Sequence, residues 1–111
     1  DGSANPYLLQ AGVLAAGIYG LNNKSDPGEP LTCNMYTDYK NYPKLSRLPE
    51  ELDDSLEKLD SNKVLRDAFG DEVINSYLKL KREEISDFFK NEIFDKKSPV
   101  TDWEKNNTLD C

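Results

Sequence analysis

The stretch that most constrains this chain is Asn5–Gly20, NPYLLQAGVLAAGIYG. Asn5 can accept hydrogen bonds from the first free helical N–H groups, and Pro6 suits the first helical position. The body then runs through Leu8, Leu9, Ala11, Val13, Leu14, Ala15, Ala16 and Ile18 to Leu21. Only Gln10, Tyr7 and Tyr19 bring side-chain polar atoms. A helix apolar all round is expected to be buried on most sides. Its small residues, Ala11, Gly12, Ala15, Ala16, Gly17 and Gly20, would let another backbone come close. Three glycines in such a helix cost about 1 kcal/mol each relative to alanine, and tight packing against a sheet or helix is the expected offset. The remaining residues do not suffice to cover this helix. That predicts a piece cut from a larger protein, an expectation that the start at Asp1 without a methionine shares.

The totals narrow the possible partners. A chain of 111 residues predicts one unit spanning 1–111. A net charge of −7 argues against nucleic acid and against anionic membrane surfaces, because phosphate binding needs clustered Lys and Arg. There is no histidine and no C-x-x-C, so zinc-ligand spacing is absent. Cys33 and Cys111 are expected to be free thiols. The N-x-[ST] matches at Asn23 and Asn106 are read as chance, since no signal peptide precedes them. The apolar run falls short of the about 20 residues that a membrane span needs.

After the helix, predicted to stop between Leu21 and Asn23, NNKSDPGEPL carries dense turn chemistry. Thr32–Arg47 shows neither a helical nor a strand period and reads as a long surface loop anchored by Tyr36, Tyr39 and Tyr42. Pro49 is predicted to open a second helix with Leu52, Leu56 and Leu59 on one face. Glu50, Glu51, Asp53 and Asp54 would fill its first turn, where the helix dipole favours anions. Asp60-Ser61-Asn62 should break it, with Asn62 capping a short helix that Gly70 ends. The longest helix is expected from about Asp71 to Phe94. Its stripe is Val73, Ile74, Tyr77, Leu78, Ile85, Phe88 and Phe89, and Lys79, Lys81, Arg82, Glu83 and Glu84 on the other side should be solvated. Thr101-Asp-Trp-Glu104 fits a capping box, and Trp103 and Leu109 would anchor the helix it starts.

No constellation for catalysis emerges. There is no Gly-rich phosphate loop, no Ser/His/Asp set and no Cys/His pair. The carboxylate pairs Asp53/Asp54, Asp71/Glu72 and Glu83/Glu84 sit on predicted exposed turns, whereas acid–base or metal chemistry needs convergence from different elements. No residue is therefore assigned a catalytic, cofactor-binding or metal-binding role, and the residues by themselves describe a mainly α, soluble helical domain.

The order of motifs adds more. Ala4-Asn5-Pro6-Tyr7-Leu8 leads to Gly20-Leu-Asn-Asn23-Lys24-Ser-Asp-Pro27-Gly28-Glu29-Pro30, then to Asn34-Met35-Tyr36. From Leu48 onward follow LPxxLxxSLxxL, LRxxFGD and YLxLK, and the chain closes on TDWEKNNTLDC. Together these resemble the C-terminal segment of the glutamine synthetase catalytic domain, in a branch that includes suspected γ-glutamylmethylamide synthetases. The resemblance implies an irregular helical bundle that finishes an α+β domain. It implies a parent enzyme in which ATP phosphorylates the γ-carboxylate of glutamate and an amine displaces the phosphate. ATP and Mg or Mn would be bound by upstream residues, and Asp1 resembles the Asp closing the strand with the last catalytic Arg. On this expectation the chain is an inactive fragment in isolation. It backs the active site and contacts neighbouring subunits of a cytoplasmic homo-oligomer. Tyr36 matches, by its N-x-Y context, a tyrosine that some bacterial members adenylylate. The following Thr37-Asp38-Tyr39 departs from the family's acidic Leu-Pro continuation, and the plainer expectation is a loop tyrosine packed on its own chain. An alternative function is a stand-alone helical interaction module of the same ancestry, binding a partner through Asn5–Gly20.

Overall fold

The computed structural model describes residues 4–91 and 100–108. Among them the chain is helical and has no strand. Helix α1 is Pro6–Asn22, α2 Met35–Asp38, α3 Leu52–Asp60, α4 Lys63–Phe69, α5 Asp71–Asn91 and α6 Asp102–Asn107. The expected mainly α, irregular bundle is what forms.

Helix α1 begins as its residues dictate. The Asn5 side-chain oxygen accepts from the backbone N–H groups of Tyr7 (3.0 Å) and Leu8 (3.1 Å), and Pro6 stands at the first helical position. It ends in a Schellman arrangement. The Lys24 N–H donates to the Leu21 carbonyl at 3.1 Å and the Ser25 N–H to the Gly20 carbonyl at 2.9 Å. Lys24 occupies the left-handed position, with φ 50°, that glycine normally takes. Beyond it, the Asp26 carboxylate accepts from the Gly28 N–H at 2.9 Å, closing a tight turn across Pro27 at Gly28 φ 76°.

The stretch expected to be wholly irregular is not. Asn34 caps α2 through the Tyr36 N–H at 3.1 Å, and a 3-10 turn, Tyr39–Asn41, continues it. A helix of four residues is too short to show a period, so only the Asn34 cap could have announced it. Helix α3 starts at Leu52, later than Pro49, because Glu51 stays extended and offers no side-chain cap. Only Asp53 and Asp54 therefore occupy its first turn.

Asn62 caps α4 by accepting from the Leu65 N–H at 3.0 Å. Gly70, at φ 83°, then closes one helix and opens the next: its N–H donates to Arg66 and its carbonyl accepts from Ile74. Helix α5 is described to Asn91; its expected end at Phe94 lies outside the described residues, as do Asp1, Leu109 and Cys111. Helix α6 carries the expected capping box. The Thr101 hydroxyl accepts from the Glu104 N–H at 3.1 Å, and the Glu104 carboxylate accepts from the Thr101 N–H at 2.7 Å. The Thr101 N–H foremost, and the Thr101 hydroxyl donating to the same carboxylate at 2.8 Å, hold the Glu104 carboxyl below its usual range.

The core lies where α3 and α4 pack on α5. Leu56, Ile74 and Leu78 are buried, with Leu59, Phe69, Tyr77 and Ile85 packed partly covered around them. The radius of gyration is 17.2 Å, against about 13 Å for a compact domain of this length. Helix α1 leans on α4, yet none of its residues is buried.

Candidate functional site

Three places on this scaffold invite a functional reading. The first is α1. Ala11, Gly12, Ala15 and Gly20 are partly covered, while Leu9, Val13, Leu14, Ile18 and Leu21 are exposed, Leu21 at 80%. The expected burial of this helix is therefore not supplied by the chain's described residues. A Cβ placed at Gly12, Gly17 or Gly20 would meet nothing within 4 Å, so no neighbour among the described residues makes the close approach that those glycines permit. Between α1 and the α4–α5 pair runs an apolar groove lined by Leu8, Leu9, Phe69, Val73, Ile74 and Tyr77.

The second is an ionic junction that ties three helices together. Asp60, at the end of α3, accepts from Arg66 of α4 and, at 2.9 Å, from Arg82 of α5. The Arg66 Nε also donates to the Asp60 carbonyl at 2.6 Å. Its Nη1 reaches Asp71 at 2.7 Å and Asn75 at 3.1 Å. Arg82, and Arg66 beside it, hold the Asp60 carboxyl below the usual carboxylate range. An anion at a helix C-terminus is disfavoured by the dipole, and two guanidinium groups offset that. The helix break expected at Asp60-Ser61-Asn62 is where α3 ends, and Arg82 lies on the exposed face expected of it. The pairing of Asp60 with Arg66 and Arg82 is what the sequence did not show, and on the same face Lys81 pairs with Glu84 at 2.7 Å. No local signal announces the junction, because Asp60 and Arg82 lie far apart along the chain.

The third is the loop around Tyr36. Its ring is 95% exposed, so it does not pack on its own chain as expected. Tyr42 is partly covered, and Tyr39 carries Arg47 over its ring face at 5.3 Å from the centroid. Cys33 is a free thiol, as expected, whose Sγ lies 3.6 Å from the Met35 sulfur. Trp103 is anchored as foreseen. Its ring meets Phe88 edge-on at 5.4 Å, and its indole N–H donates to Asp87 at 3.0 Å.

Nowhere among the described residues do three His, Cys, Asp or Glu side chains converge in a way that could hold a metal ion. No described helix is long and apolar enough to cross a membrane.

Comparison with known proteins places this scaffold in a family. The family model for the glutamine synthetase catalytic domain matches residues 1–106. The chain is 38% identical over 110 residues to a glutamine synthetase of Rhizobium meliloti, covering 99% of this chain and 23% of that protein. It is 34% identical over 114 residues to a glutamate–methylamine ligase of Methyloversatilis universalis, covering 99% of this chain and 24% of that protein. It is 33% identical over 103 residues to a γ-glutamylethanolamide synthetase of Streptomyces coelicolor, covering 93% of this chain and 20% of that protein. No solved structure matches. The chain thus spans about a quarter of the length of the curated relatives it matches, and it belongs to the glutamine synthetase catalytic-domain family.

Proposed function

We propose that this chain is the helical C-terminal part of an ATP-dependent ligase that joins an amine to the γ-carboxylate of glutamate. Its role there is structural: α1 backs the part of the domain that carries the catalytic groups, and the outer helices contact neighbouring subunits of a cytoplasmic homo-oligomer. The observation that carries this reading is the exposure of α1 on sides that are uniformly apolar. An apolar surface of that extent invites a partner, and the relatives are some four times longer than this chain. ATP and Mg or Mn belong, on this reading, to residues outside this chain. The amine is ammonia, methylamine or a related small amine, the range that the relatives' names span. Tyr36 stands as a candidate for adenylylation, supported by its N-x-Y context and by the access that its exposure provides.

The test is γ-glutamyl hydroxamate formation from glutamate, ATP and hydroxylamine. The full-length polypeptide carrying this chain should turn over, and the 111-residue chain alone should not. Turnover by the short chain would refute its inactivity. A native polypeptide of this size, monomeric and well folded, would favour the stand-alone interaction module instead.

A further inference from the structure

We draw no further inference here: the strongest candidate, the apolar groove between α1 and the α4–α5 pair lined by Leu8, Leu9, Phe69, Val73, Ile74 and Tyr77, supports no proposal, since nothing in the structure shows what covers it.

Discussion

Helix α1 and the α3–α5 unit obey opposite logics within one short chain. The α3–α5 helices are amphipathic. Their apolar stripes meet at Leu56, Ile74 and Leu78, and their charges close on one another through Asp60, Arg66 and Arg82. Helix α1 has no polar face to give to water and no partner for most of its surface among the described residues. One region covers its own apolar stripes, and the other leaves its apolar surface open among the described residues. A sequence can therefore encode a helix locally, through its caps, while leaving its burial to residues elsewhere.

The largest effect should come from the core. Leu78→Ala removes the centre of a three-residue buried cluster and should cost about 2–5 kcal/mol. Urea unfolding of the 111-residue chain measures it, and a loss below about 1 kcal/mol would mean that α3–α5 is no self-sufficient unit.

Leu14→Glu addresses the other side of the contrast. Leu14 is exposed here, so the change should leave the isolated chain within about 0.5 kcal/mol. In the full-length polypeptide the same change should destabilise by about 2 kcal/mol or more, because it buries a charge without a partner. Equal, small effects in both would show that α1 is never covered.

Acidification probes the junction. The Asp60 carboxyl is depressed in the folded state by Arg82 and Arg66. Its contribution is therefore present above the ordinary carboxylate pKa and is lost as the pH falls through the lower folded value. Melting temperature should drop on acidification in the wild type. Asp60→Asn should lower it at neutral pH and flatten that dependence, by less than Leu78→Ala does. A pH profile unchanged by Asp60→Asn would remove the junction from the account of stability.

The smallest effect has the most telling sign. Gly17→Ala meets empty space in this chain and should stabilise the isolated helix by about 1 kcal/mol. If another backbone packs against α1 in the full-length polypeptide, the same substitution should be neutral or destabilising there. A gain in both contexts would deny the close approach.

Much of this molecule is legible one helix at a time. Asn5, Asn62 and the Thr101/Glu104 box announce three helix starts, because each cap closes within a few residues of itself. The 3.6-residue spacing of Leu52, Leu56 and Leu59 and of the α5 stripe announces which faces meet, although Leu52, Val73 and Phe89 at the ends remain exposed. The motifs carry the family as well. The Tyr36 loop was less legible: a four-residue helix has no period, and whether a tyrosine finds cover depends on what passes above it.

Tertiary structure alone decided the rest. That Arg82, on an exposed face, also reaches Asp60 is set by how α5 lies across α3, which no local spacing encodes. The Arg47 guanidinium over Tyr39 depends in the same way on where the loop returns. By itself the sequence determined where helices start, where they stop and that α1 cannot face water on every side. Only the packed chain revealed that the described residues leave α1 uncovered, because burial belongs to pairs of surfaces and cannot be read from one helix alone.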